Sequence, residues 1–285
     1  MGISFQEVSH EYRGVRKKDI TIALKNINLN ISDKDEFVAI VGKTGSGKTT
    51  LLSHMNALIL PSNGNIKIFD YIITPKARKN PKLNNIRKRV GYVFQFPEYQ
   101  LFEETVLKDI MFAPINFGMS KEDAEKKAIK IAKELGIEKL LGKSPFDLSG
   151  GQMRKVAIAG ILSYEPDIIL LDEPTRGLDI KSSKEIMEMF NNINKIHHKT
   201  IVIITHDMDL VYNYATRMVV LNNTKIVYDG NKEQLFSSNI YQENSLRKPE
   251  VLKIIDYLNE KLNLNLDYNI HNIDELVNKL KGENI

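Results

Sequence analysis

Cysteine is absent from the 285-residue chain, which excludes a disulfide scaffold, a thiolate metal site and cysteine catalysis. Its absence says little about compartment, because a reduced cytosolic protein needs none. No apolar run approaches the roughly 18 residues that a bilayer crossing needs, and the stretch from Val156 to Leu162 is far too short. The start, Met1 to Glu7, lacks the charged-then-apolar layout of a secretion signal, so a non-spanning, cytoplasmic protein is expected. Excess charge of one sign is also small. Lys and Arg number 40 against 36 Asp and Glu, a net +4, too mild to argue for nucleic acid. What is present is 42% hydrophobic and 27% charged residues, enough for a sizeable buried core and for one large α/β domain with an appendage or two modest domains.

Along the chain, strand and helix patterns alternate. Leu24 to Ile31 alternates apolar and polar residues as a half-solvated strand does. Phe37-Val38-Ala39-Ile40-Val41 is wholly apolar and stopped by Gly42, the pattern of a strand buried on both faces. Val90 to Phe94, Ile168 to Leu171 and Ile201 to Ile204 share that character, which predicts a mostly parallel sheet covered on both sides. Thr105 to Ser163 is more helical. Met218 to Leu221 and Lys225 to Tyr228 flank a hairpin turn predicted at Asn222-Asn223. Beyond Gly230, Val251, Ile254, Ile255, Leu258 and Leu262 form a helical stripe after Pro249, expected as the first helical residue. Asn272 to Glu275 has capping-box spacing. Residues 71–97 hold no acid but contain Lys76, Arg78, Lys79, Lys82, Arg87, Lys88 and Arg89. That composition fits a solvated loop and hairpin, with proximity to anionic lipid as the alternative.

The chemistry begins at Gly42-Lys43-Thr44-Gly45-Ser46-Gly47-Lys48-Thr49, a full G-x-x-x-x-G-K-[ST] phosphate loop. It follows a buried strand and opens a helical segment at Thr50, so its backbone N–H groups and a helix N-terminus can close around phosphate oxygens. Lys48 is placed to neutralise β- and γ-phosphates, and the Thr49 hydroxyl to ligate Mg²⁺. The second signal is the apolar run Ile168 to Leu171 ending in Asp172-Glu173-Pro174. Asp172 is positioned to hold Mg²⁺ through water, and Glu173 to polarise an attacking water. The third is Leu148-Ser149-Gly150-Gly151-Gln152 before the apolar helix Val156 to Leu162, a second phosphate-binding nest. Two phosphate sites on one chain imply a head-to-tail dimer that sandwiches two nucleotides.

On these motifs the sequence resembles the ATP-binding cassette (ABC) ATPases, from about Ile3 to Phe236 and in the family order. The resemblance implies a P-loop NTPase fold. Its parts are a mostly parallel core sheet, an antiparallel N-terminal β subdomain, a helical signature subdomain (about 97–163) and a small C-terminal helical appendage. It divides the chain into a nucleotide-binding domain (1–232) and an extension (233–285) expected to contact the dimer partner. It further implies that Tyr12 stacks on adenine and that Gln95 links the Mg²⁺ site to the helical subdomain. Asp179 then belongs to the D-loop that meets the dimer partner, and His206 is the switch histidine at the γ-phosphate. The implied nucleotide set is Tyr12, the loop residues Gly42, Lys43, Thr44, Gly45, Ser46, Gly47, Lys48, Thr49 and Thr50, and Ser149, Gly150, Gly151, Gln152 and Asp179. The implied catalytic set is Glu173, His206 and Gln95, and the implied Mg²⁺ ligands are Thr49, Gln95 and Asp172. His197 and His198 match nothing and read as surface residues.

Phe94 to Val106 and Gln152-Met153-Arg154-Lys155-Val156 narrow the likeness to energy-coupling factor (ECF) importers, to the second, cobalt-importer-like member of their ATPase pair. That implies a related ATPase subunit as heterodimer partner, a transmembrane scaffold, and an exchangeable substrate-binding membrane protein. It also implies uptake of vitamins or transition-metal ions and a place on the cytoplasmic face of the membrane, with no nucleic-acid partner. Four positions depart from the pattern: Lys43, Thr49, Arg176 and Ile180. Other family readings fit less well. The roughly fifty residues between Gln95 and Leu148 cannot supply the long coiled coil of chromosome-maintenance ATPases. Only one cassette is present, and a non-enzymatic sensor would be expected to lose Glu173 or His206. An ATPase of another ABC transporter class stays as the alternative. The segment Phe96 to Val106 mixes aromatics with Glu98, Glu103 and Glu104, and is expected to dock an apolar, arginine-bearing helix end of the scaffold.

Overall fold

The computed structural model describes residues 2–14, 19–75 and 83–282. Lys76, Arg78, Lys79 and Lys82 of the basic stretch lie outside them. Its elements run β1 (Ile3–Arg13), β2 (Ile20–Ile31), β3 (Phe37–Gly42), α1 (Lys48–Met55), β4 (Asn63–Ile68), β5 (Tyr71–Ile73), α2 (Leu83–Arg89) and β6 (Val90–Val93). Then follow α3 (Val106–Asn116), α4 (Lys121–Glu134), α5 (Gly150–Leu162), β7 (Ile168–Asp172), α6 (Ile180–His197), β8 (Thr200–Ile204) and α7 (Met208–Tyr214). The chain ends with β9 (Arg217–Asn222), β10 (Lys225–Gly230), α8 (Lys232–Ser237), α9 (Ile240–Glu243), α10 (Glu250–Leu262) and α11 (Ile273–Gly282).

Two sheets result. One is antiparallel in the order β2-β1-β4-β5, and the other has the order β10-β9-β3-β8-β7-β6. In the second, β3, β6, β7, β8 and β9 run parallel and only β10 is antiparallel. The all-apolar strands behave as a two-fold repeat requires. Phe37, Ala39, Val41, Ile169, Leu171, Ile201 and Ile203 enter one core. Val38, Ile40, Ile168, Leu170, Val202 and Ile204 enter the opposite one, shared with Ile3, Phe5, Leu29 and Ile66 of the antiparallel sheet. Each face is therefore covered, which is why these runs carry no polar alternation. A third core joins α3, α4 and α5 around Val106, Ile110, Ala128 and Val156. This is the helical subdomain.

Three details differ from the sequence reading. The β9–β10 turn falls one residue later, at Asn223 and Thr224, whose φ values of 46° and 69° are both left-handed. Positive φ at both central residues matches the twist of a two-residue hairpin, and Asn222 is already paired with Lys225. Pro249 caps α10 instead of opening it. The buried face of α10 is Val251, Leu252 and Ile255, while Ile254 and Leu262 stay exposed. Leu262 is the last helical residue, where Asn263 (φ 53°) turns the chain away. The extension's buried residues Val251, Leu252, Ile255, Leu266, Ile270 and Leu276 join the main core.

Candidate functional site

Three neighbouring parallel strands end level with one another. Ile204 of β8 pairs with Ile40 of β3 on one side and with Asp172 of β7 on the other. Everything that follows these strands emerges at the same carboxyl edge, where open α/β sheets bind ligands. From β3 comes the loop 42–49, from β7 Asp172 and Glu173, and from β8 His206.

The loop's glycines are there for space and backbone angle. A Cβ on Gly42 (φ 143°) would sit 2.1 Å from the Leu221 carbonyl oxygen, and one on Gly47 (φ 104°) 2.3 Å from that of Ala23. Gly47 then caps α1 in the left-handed conformation, which aims the first N–H groups of α1 into the loop. Lys48 curls back inside the loop and donates to the carbonyls of Gly42 (2.8 Å) and Lys43 (2.9 Å). Burial pulls its ammonium below the ordinary lysine range, and the charges of Glu173 and Asp172 oppose that. Lys43 offers its carbonyl inward and its side chain to solvent, so the departure at this position leaves the cradle intact. The Ser46 hydroxyl oxygen is buried without a protein partner, and a phosphate oxygen held in the loop could satisfy it.

Asp172 is buried, and burial pushes its carboxyl upward, countered by hydrogen bonds from Tyr92 and Thr49 and by the charge of Lys48. The Tyr92 hydroxyl donates to it at 3.2 Å. Tyr92 has no counterpart in the motif reading; the only hint was a hydroxyl within an otherwise apolar strand. Glu173 holds φ 50°, a strained angle for a non-glycine residue, while its N–H donates to Ile204 O at 2.8 Å. Its carboxylate is buried, and Oε1 lies 3.0 Å from His206 Nε2 at an angle that leaves Oε1 without a hydrogen bond. Burial raises the Glu173 carboxyl above its usual range, the His206 side opposing. A carboxylate with a raised pKa and an unspent lone pair is what a general base needs. Thr49, Asp172 and the Gln95 amide are hard oxygen donors, and two or three of them with phosphate oxygens fit Mg²⁺. Among the described residues no cluster of three His, Cys, Asp or Glu offers an all-protein metal cage.

Tyr12 stands half-exposed on β1, its hydroxyl 3.2 Å from Thr50 Oγ1. Its ring packs edge-on against His10, which packs in turn against the fully buried His54 of α1. The aromatic is therefore fixed to the phosphate-loop helix. Ser149 caps α5 in a complete capping box, with Gln152 Oε1 accepting from Ser149 N at 3.1 Å. Ser149, Gly151 and Gln152 line a small cleft of about 180 Å³. Glu173 and His206 line a different one of about 870 Å³. Asp179 caps α6, accepting from Ser182 N and Oγ at 2.9 and 2.8 Å, and Ile180 beside it is 90% exposed.

Two pairings across elements escaped the sequence reading. Arg154, 4% exposed at its side chain, forks onto Glu98 at 2.8 and 3.1 Å and donates to the carbonyls of Pro174 and Arg176. Glu98 is thus spent inside the chain, which corrects its expected place among the docking acids. Glu104 pairs with Lys108, while Tyr99 remains 84% exposed. The Gln95 amide oxygen, oriented by its hydrogen-bonding surroundings, accepts from Arg176 Nε at 3.1 Å and from Nη1. In the basic stretch, Arg89 pairs with Asp167 (2.7 Å) and lies over the Phe69 ring, and Arg87 reaches Ala57 O.

Comparison with known proteins gives the same picture. The family described as ABC transporter matches residues 24–176. The energy-coupling factor transporter ATP-binding protein EcfA2 of Ligilactobacillus salivarius is 50% identical over 85% of this chain and 84% of its own length. EcfA2 of Enterococcus faecalis is 49% identical over 90% and 89% respectively. Among solved structures, cbiO1 of Clostridium perfringens, part of the ABC transporter complex cbiONQ, superposes with a TM-score of 0.72 at 33% identity, over 89% of this chain and 98% of that one. The ATP-binding cassette MJ0796, in a dimeric post-hydrolysis state with ADP and Pi, gives 0.71 at 33% identity, over 80% and 98%.

Proposed function

The chain belongs to the ABC transporter family, and from that premise we propose that it works as one half of a head-to-tail pair with a related, non-identical ATPase subunit. It is an ATP-binding subunit of an ECF-type importer, an ATPase coupled to transport. The observation that carries the sandwich is the division of its own site. The phosphate loop, Asp172, Glu173 and His206 share one sheet edge, while the Ser149–Gln152 nest caps a helix of another subdomain in a separate cleft.

In this reading Tyr12 stacks on the base, the loop from Gly42 to Thr50 wraps the phosphates, and Lys48 leaves its loop carbonyls for the β- and γ-oxygens. Thr49, Asp172 and Gln95 hold Mg²⁺, which when bound neutralises charge on the transferred phosphoryl group. Glu173 takes a proton from the attacking water, and His206, 3.0 Å from it, steadies the closed geometry. The partner's corresponding nest contacts the γ-phosphate held here, while Ser149, Gly150, Gly151 and Gln152 of this chain contact the nucleotide held by the partner, so ATP draws the two chains together and hydrolysis releases them. Asp179 and the exposed Ile180 face the partner. The extension is a further dimer contact, fastened to α7 just beyond His206. Asp209 accepts from Glu250 N at 2.6 Å and from Arg247, and Asn272 donates to Asn213 at 2.9 Å.

The membrane scaffold docks where the helical subdomain meets the core. An apolar groove of about 320 Å³ there is lined by Phe94, Leu101, Phe102, Phe112 and Phe117, with Arg87 and Asp109 at polar positions. Among the described residues no helix is long and apolar enough to cross a membrane, and the chain sits peripherally on the cytoplasmic face. The cargo is a vitamin or a transition-metal ion, selected by a separate membrane protein. The pairing is tested by sedimentation and turnover with and without MgATP. The chain alone is expected to stay largely monomeric and slow, and to speed up when the second ATPase subunit is added. Full activity as a homodimer contradicts the pairing.

A further inference from the structure

Arg176 is one of the positions that depart from the family pattern, and its side chain reaches back to Gln95, a residue distant in sequence but adjacent in the site. β6, which leads to Gln95, pairs with β7, which leads to Asp172 and Arg176; Val93 is level with Leu171. With the Gln95 amide assigned the orientation that its donor-rich surroundings demand, the guanidinium meets the amide oxygen with two donors, Nε at 3.1 Å and Nη1. A carbonyl oxygen has two lone pairs, and this fork occupies both. The same oxygen is the one proposed above as a Mg²⁺ ligand, and it cannot serve a guanidinium and a divalent cation together, since like charges would share one acceptor.

We propose that Arg176 is a latch that holds Gln95 off the metal site until MgATP displaces it; the inference rests on the nucleotide reading of that site. The latch has a fixed hinge. The Arg176 N–H donates to Glu173 O (3.1 Å), and its carbonyl accepts from Arg154 Nη1 (2.9 Å). Arg154 belongs to α5, two residues past the Ser149–Gln152 nest, and its other edge grips Glu98, three residues past Gln95. The ring Gln95–Glu98–Arg154–Arg176 therefore closes on itself. A movement of the helical subdomain carries Arg154 and shifts both ends of the latch, so release of Gln95 is tied to the motion that brings the nest to the partner's nucleotide. Arg176 here is a positioning residue; it touches Gln95, not the reacting atoms.

The test is the ratio of affinities for a non-hydrolysable ATP analogue with and without Mg²⁺, measured on the full chain by equilibrium titration. Arg176→Ala should raise that ratio about three- to tenfold, the net scale of one ordinary hydrogen bond, as suits an exposed side chain, and leave metal-free affinity unmoved. In a Gln95→Ala background the same substitution should change nothing. An unmoved ratio in Arg176→Ala overturns the latch. A rise that persists without Gln95 also overturns it, because Arg176 then acts on the cation through its field alone. Wild-type chain that binds no nucleotide in either condition refutes the nucleotide reading itself, whereas normal wild-type binding with an unmoved ratio refutes only the latch.

Discussion

Glu98→Gln separates an internal strut from a docking acid. The Arg154 side chain is 4% exposed and that of Glu98 13%, so the pair is nearly dry. Two charge-assisted contacts, 2.8 and 3.1 Å, join them. Replacing one carboxylate oxygen by an amide NH₂ turns a donor toward a donor and leaves the guanidinium's charge unmatched. Breaking such a pair from one side costs about 3–5 kcal/mol. Arg154 keeps its bonds to the carbonyls of Pro174 and Arg176, so the low end, about 3 kcal/mol, is expected. For a chain of this size that lowers Tm by roughly 6–12 °C. The double variant Glu98→Gln with Arg154→Met removes both charges and should cost clearly less than the sum of the two single losses, although it gives up the bonds to the Pro174 and Arg176 carbonyls. Calorimetry of the wild type, both single variants and the double completes the cycle. If Glu98→Gln melts within a degree of wild type, or the two losses simply add, the strut is wrong, and a role for Glu98 in binding the scaffold regains its place.

Gly42→Ala should abolish nucleotide binding and lower stability, because its Cβ would lie 2.1 Å from the Leu221 carbonyl. Gly45→Ala meets no atom within 4 Å and should suffer only the backbone strain of φ 78°, about 1 kcal/mol; melting and nucleotide titration rank the two. Acid should weaken the fold through His54. Burial depresses its pKa from 6.5 to about 4, so the unfolded chain binds the proton first and stability falls as pH drops from 6.5 toward 4. The full effect is about 3 kcal/mol, and the slope of Tm against pH in that window should be shallower in His54→Gln, with an equal slope counting against it.

The parts legible in the sequence are those whose chemistry needs contiguous residues. A phosphate loop must follow a strand and open a helix, so Gly42 to Thr49 declared its own fold context, and Asp172-Glu173 and Ser149 to Gln152 did the same at a strand end and a helix cap. The double-faced cores around Val38 and Ala39 followed from runs with no polar alternation. Pairs between distant elements left no such trace. Arg154 read as part of a family-narrowing Met-Arg-Lys run and Glu98 as an acid of the docking segment, because nothing local to a 56-residue separation says that two charges meet in a dry interior. Arg176 was visible only as a departure; its grip on Gln95 needed the β6–β7 register to bring the two loops together. The hairpin turn moved by one residue because Asn222 and Asn223 tolerate turn geometry about equally, and only strand pairing decides between them.

In the proposed mechanism Glu173 is the base and Lys48 the phosphate anchor of one ATP site. Single-turnover hydrolysis of MgATP by the Glu173→Gln chain, in complex with its partner ATPase, tests it most directly. Nucleotide affinity should stay near normal while the rate at this chain's site falls by about 10²–10⁴-fold, and Lys48→Ala should lose binding itself. A near-normal rate in Glu173→Gln, with nucleotide bound as in wild type, would contradict it and place the base elsewhere.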